Sequence, residues 1–166
     1  MSRTFPTIQF QPTSMLPTSS NGAAFVAHTT TARSALAFDD STNETAIAAA
    51  ILPIEYLGTG TLKAKLFFYS ASANSGDAGW NAQVEAVTPG DTLDLEAAHS
   101  FDTANNGTQA LSGVAGNLTD ITISLTNKDS CAAGDLIRLA IQRDADSSDT
   151  ASGDLYLTLV ELFEEA

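Results

Sequence analysis

The sequence predicts an all-β protein, an antiparallel β-sandwich of jelly-roll type with about eight strands and an extended N-terminal arm. Three observations carry that prediction. Apolar residues recur with period two, the half-buried strand signature, in Thr61–Ser70, Leu118–Leu125 and Leu136–Ile141. Turn chemistry such as Pro89-Gly90-Asp91, Gly134-Asp135 and Gly153-Asp154 punctuates the chain, so that strands follow one another at roughly 10–15-residue spacing. No window shows a convincing amphipathic helix, which disfavours alternating β and α units.

Taken in order, residues 1–24 read as the arm and residues 25–166 as the jelly-roll body. Pro6, Pro12 and Pro17 exclude a helix and favour extended backbone. Phe5, Ile8, Phe10, Met15 and Leu16 are more sizeable apolar residues than a solvated tail carries. They are the candidate partner contacts of an arm laid along a neighbouring subunit. Ser34–Phe38 is the next strand, ending at Asp39-Asp40. Ala46–Tyr56 follows, with Pro53 marking an edge strand or a strand end. After the Gly58 and Gly60 turn, Thr61–Ser70 sets Leu62, Ala64, Leu66 and Phe68 on one face and Lys63 and Lys65 on the other. Trp80–Ala86 groups Trp80, Ala82 and Val84, and Thr92–Leu95 reads as a short strand. The segment from Glu96 to Gly116 is weakly patterned, with a helical turn around Ala97–Phe101 and then a loop. Leu118–Leu125 aligns Ile121, Ile123 and Leu125. Leu136–Ile141 and Leu155–Phe163 read as an antiparallel pair across a long Asp-rich loop, with Leu155, Leu157 and Leu159 opposite Tyr156 and Thr158.

Composition narrows the function. A chain of 166 residues suits one domain with a real core. Twenty acids against seven bases give a net charge of −13, which disfavours gripping a nucleic-acid backbone or an anionic membrane. The longest apolar run, Ala46–Leu52, is far short of the roughly 18 residues a membrane span needs, and the proline-broken N-terminus lacks a secretory core segment. The single cysteine, Cys131, forbids an internal disulfide and lies in a turn context that does not suit a nucleophile.

Catalytic templates find little to match. His28 and His99 have no second histidine at ligand spacing. Neither a Gly-x-Ser-x-Gly elbow nor a phosphate-binding Gly-x-x-x-x-Gly-Lys loop is present. Paired carboxylates for glycoside hydrolysis are compatible with so acidic a chain, but one tryptophan and three tyrosines are few for a sugar-cleaving cleft. The sequence therefore predicts no enzyme and no cofactor. Asp144, Asp146 and Asp149, with Asp154 nearby, could supply hard oxygen ligands to Ca²⁺, though the glycine and terminal glutamate of an EF-hand are missing. The competing expectation is that these aspartates cap turns, and that Arg143 pairs with one of them at the sandwich rim.

An ordered set of local signatures is similar to the jelly-roll virion proteins of tailed bacteriophages. The set comprises Leu52-Pro53-Ile54-Glu55-Tyr56-Leu57-Gly58 before a strand, Gly79-Trp80 opening the next, and Ala133-Gly134-Asp135-Leu136-Ile137-Arg138-Leu139. It closes with Arg143-Asp144 through Asp149-Thr150 to Gly153-Asp154 and an alternating Leu strand. The resemblance runs from about Phe38 to the end. This chain is more alanine-rich and lacks a second aromatic after Phe68-Tyr69. The resemblance implies a capsid decoration or cement protein: a homotrimer made in the host cytoplasm, bound to the major capsid protein on the outer capsid surface of the virion. Two other readings stay open. One is a tail, collar or fibre component. The other is a carbohydrate-binding module with a groove lined by Tyr56, Tyr69 or Trp80, although the parity of Trp80 places it in the core.

Overall fold

A computed structural model describes residues 2–28, 31–72, 75–97, 100–145 and 148–166. The described residues form strands β1 (Ile8–Phe10), β2 (Leu16–Pro17), β3 (Ala24–His28), β4 (Arg33–Phe38), β5 (Thr45–Ile51), β6 (Thr61–Ser70), β7 (Asp77–Val87), β8 (Asn105–Ala110), β9 (Thr119–Ser124), β10 (Leu136–Arg143) and β11 (Leu155–Glu165). One sheet runs β3-β4-β11-β6-β9, with β1 also paired to β11; the other runs β2-β5-β10-β7-β8. All named strand pairs are antiparallel. The all-β sandwich expected from period-two patterning is the fold observed, with eleven strands rather than about eight.

The core lies between the sheets. Leu36, Phe38, Leu62, Leu66 and Phe68 face Trp80, Val84, Ile137, Leu139 and Ile141. Trp80 is fully buried, its ring 5.1 Å from Phe38 and 5.2 Å from Phe68 in edge-on and tilted contacts. The parity that placed Trp80 in the core is thus the geometry found. Lys63 and Lys65 point away from this core and pair with Glu165 and Asp120.

Four expectations change. First, β10 and β11 are not partners. They lie in opposite sheets, β10 between β5 and β7, and β11 between β4 and β6. Period two reports which face a side chain takes, not which strand lies beside it. Second, a bulge at Thr158 shifts β11 against β6 between Leu157 and Leu159. The extra residue reverses the parity, so Val160, Leu162 and Glu164 are buried while Leu159 is only partly covered. Third, Thr92–Leu95 forms no strand, whereas the polar stretch Asn105–Ala110 does. Gly107 makes that strand possible, because a Cβ there would lie 2.8 Å from Ile121 Cδ1. Of the helical turn expected around Ala97–Phe101, Ala98 and His99 lie outside the described residues.

The fourth change concerns the arm. Phe5, Phe10 and Met15 are buried in this chain's own core, and Ile8 packs against it. Only Leu16 stays largely exposed, at 74%. β1 pairs with β11 and β2 with β5, and Thr4 N–H donates to the Glu164 carbonyl. The prolines do not exclude every helical turn: Pro12–Ser14 forms one turn of 3-10 helix, with Pro12 at its start, and short edge strands flank it. The boundary at residue 24 therefore does not separate an arm from a body.

Candidate functional site

The Asp-rich loop is built around Arg143. This side chain is fully buried and uses all five N–H donors. Nε and Nη2 donate to Asp149 at 2.8 and 3.0 Å; the rest go to the carbonyls of Phe38, Gly153 and Ala151. Asp149 also accepts the backbone N–H groups of Gly79 and Ala151. Gly79 permits the approach, since a Cβ there would meet Ser148 Oγ at 2.9 Å and Asp149 N at 3.0 Å. Asp149 is consequently an ion-pair partner, which is the competing expectation for this loop. Asp144 is buried, and Asp146 lies outside the described residues. Among the described residues no His, Cys, Asp and Glu cluster of metal-holding geometry occurs. Cys131 is buried with Sγ 3.5 Å from Tyr56 Oη, and burial pushes its thiol up, away from nucleophilic character.

The site with binding geometry lies instead on the outer face of the six-stranded sheet. In the register, Ala24, Ala37, Tyr156 and Tyr69 form one row across β3, β4, β11 and β6. Tyr69 and Tyr156 stack with centroids 5.1 Å apart and planes 14° apart. The alanines of β4 are small, so rings can lie close to the sheet beside them. From β3, His28 leans over this row. Its ring centroid is 6.0 Å from Tyr156, and its Nε2 is 3.0 Å from the Tyr69 hydroxyl. At the turn between β3 and β4, Thr31, Arg33 and Ser34 close one side of a groove of about 500 Å³, and Gly116, Leu118 and Thr158 close the other. That volume is within the roughly 300–1,000 Å³ usual for small-molecule sites.

The groove is aromatic and hydroxyl-rich, and among the described residues none lining it is acidic. Burial and the neighbouring Tyr156 raise the Tyr69 phenol, while Arg33 opposes the shift, so the hydroxyl keeps its proton at neutral pH. Thr158 is the bulged residue, and its Oγ1 donates to the Phe67 carbonyl at 2.9 Å. Such an arrangement can hold the apolar face of a ring against the tyrosines and hydrogen-bond its polar edge. Among the described residues it contains no paired carboxylates.

Of the residues the sequence offered for a sugar groove, only Tyr69 is there. Tyr56 is buried under Phe5, and Trp80 is in the core. His28 and Arg33, which line it, and Tyr156, which stacks on Tyr69, were missed. The alternation of Tyr156 with leucines does mark it as outward-facing, but nothing in the sequence says that β11 lies beside β6. The opposite outer face, on the five-stranded sheet, differs in kind. Leu16, Ile47, Ala49 and Leu136 form a shallow aliphatic surface with Arg138, which pairs with Glu85 at 2.6 Å.

No family model matches this chain, and no curated protein matches it. Solved structures do. A C-terminal CBM6 of LamC, a laminarinase of Zobellia galactanivorans, is 12% identical over 96% of this chain and all of that one, with a TM-score of 0.52. The CBM22-1 xylan-binding domain of Xyn10C from Paenibacillus barcinonensis is 9% identical over 100% of this chain and 99% of that one, at 0.51. An exo-β-1,3-galactanase of Phanerochaete chrysosporium, solved with galactose, is 11% identical at 0.52, and this chain spans 29% of its length. At such identities the likeness is one of fold: a β-sandwich of the kind used by carbohydrate-binding modules.

Proposed function

We propose that this domain is a non-catalytic carbohydrate-binding module that holds a short saccharide in the groove of the six-stranded sheet. The observation that carries the reading is the stacked Tyr69–Tyr156 pair beside His28, half-buried on an outer sheet face rather than sealed between sheets, with Tyr69 and His28 lining the groove. A sugar presents C–H groups on one face and hydroxyls at its edge. Tyrosine rings cover the first, and His28, Arg33, Ser34 and Thr31 serve the second. The fold neighbours include a xylan-binding domain, and the shared architecture supports the reading without specifying the sugar. The test is calorimetric titration against a broad panel of neutral and acidic oligosaccharides, with Tyr69→Ala as the control. Binding by the native chain that the variant loses supports the module; absence of binding across the panel sinks it.

As a second reading, we propose that the chain is a virion surface protein, docked on a major capsid protein through the aliphatic face of the five-stranded sheet. Leu16 and Ile51 on that face are 74% and 57% exposed and adjoin Ile47, Ala49 and Leu136 in a contiguous aliphatic patch, the kind of surface that marks a contact site. The local phage-like signatures support the same role. The two readings use opposite faces and are compatible, since a particle-borne module could carry a free saccharide groove. Abundance in purified particles, and loss of association on Ile51→Ser, would test the docking.

A further inference from the structure

We propose that the groove selects acidic saccharides, with the Arg33 guanidinium pairing with a sugar carboxylate. This rests on the saccharide-binding reading and adds the charge class of the ligand. The first support is where the positive charge goes in a chain that has so little of it. Of seven bases, Arg3, Lys63, Lys65, Arg138 and Arg143 are held in ion pairs. Lys128 donates to the Tyr56 hydroxyl and the Gly58 carbonyl. Arg33 is the one base with neither an ion pair nor a hydrogen bond among the described residues, and it lines the groove.

The second support is the neighbourhood of Arg33. The chain carries twenty acids, yet among the described residues none lines the groove. The acids on the same sheet face are already engaged: Asp120 with Lys65, Glu161 with Arg3, and Glu165 with Lys63. None of the three lines the groove. A guanidinium presents a planar fork that matches a carboxylate, and its ring-parallel plane also suits a site walled by tyrosine and imidazole rings. The net charge of −13 opposes an anionic ligand only at long range. Charges farther than about 8 Å are largely screened at physiological ionic strength, whereas a direct Arg33 contact is not.

The experiment uses matched pairs. Oligomers of galacturonate, of guluronate and of mannuronate are titrated against the full chain beside their carboxyl-reduced counterparts, which differ only in carrying CH₂OH for COO⁻. The proposal expects at least one acidic member to bind ten or more times tighter than its reduced form. Arg33→Gln should abolish that difference, Arg33→Lys should retain part of it, and neither should move the melting temperature. Equal or tighter binding of the reduced forms overturns the acidic selectivity and leaves the saccharide module standing. An acidic preference that persists in Arg33→Gln overturns the role of Arg33. If no member of either set binds, and no neutral glycan of the wider panel does, the saccharide reading falls and this inference with it.

Discussion

Arg143 and Arg33 stand at opposite ends of what an arginine can do in one fold. At the sandwich rim, Arg143 is sealed and each of its N–H groups has an acceptor inside the chain. Beside the groove, Arg33 is exposed, and its side chain makes no hydrogen bond or ion pair among the described residues. The difference separates architecture from recognition more sharply than residue type does. A polar group with all its partners in the chain holds strands together, whereas one that lacks them, on a walled concave surface, is available to a ligand. The same division runs through the tyrosines. Tyr56 is buried under Phe5 and accepts from Lys128, while Tyr69 and Tyr156 stack half-buried on an outer face.

The largest expected effect breaks the architectural side. Arg143→Ala leaves Asp149 buried with no counter-charge and frees three carbonyls, so it should cost about 3–5 kcal/mol in denaturant unfolding. A loss under about 1 kcal/mol would show that Arg143 is not the keystone of the rim. Glu164 is the next test. Burial pushes its carboxyl up, but hydrogen bonds from Thr4 Oγ1 and from the backbone N–H groups of Leu57, Gly60 and Gly58 outweigh that and hold it below the ordinary 4.5. Glu164→Gln should destabilise by roughly 1–3 kcal/mol, because a carboxamide cannot accept on both sides. The sign follows from linkage. A depressed carboxyl contributes stability that is present above the unfolded value of 4.5 and is lost as pH falls through the lower folded value. Native stability should therefore decline below about pH 4.5 more steeply than that of the variant; parallel curves would contradict this.

Much of the fold was legible because burial on one face imposes period two, and Leu62–Phe68 and Ile137–Ile141 obey it. What was illegible was pairing. Leu136–Ile141 and Leu155–Phe163 carry similar patterns, yet sit in opposite sheets, and the Thr158 bulge reverses parity without any local signal. The N-terminal strands were hidden because their apolar residues follow two short edges and a turn instead of one period. The groove was harder still. Tyr69, Tyr156, His28 and Arg33 come from four strands, and only the order β3-β4-β11-β6 brings them together. The rim was half legible, since the parity of Arg143 placed it inward among acids that could pair with it.

The groove side of the comparison is sharpened by Tyr69→Ala. Removing one ring of the stacked pair should weaken saccharide binding at least tenfold, or about 1.4 kcal/mol. The half-exposed ring is not part of the core cluster, so unfolding should change by less than about 1 kcal/mol. A variant that loses stability and binding together would place Tyr69 with Arg143, on the architectural side.

Leu16→Ser is the smallest change and addresses the opposite face. Leu16 is 74% exposed on a two-residue edge strand, so serine should shift stability by no more than about 0.5 kcal/mol. Saccharide binding should be untouched, because the groove is on the other sheet. Association with a particle, or between copies, is the one property it should reduce, since an aliphatic side chain contributes to an interface only when a partner covers it. Measured together, the Leu16 and Tyr69 variants ask whether the two outer faces act independently. Loss of saccharide binding in Leu16→Ser would mean that the faces are coupled, and that the groove forms only when the five-stranded sheet is docked.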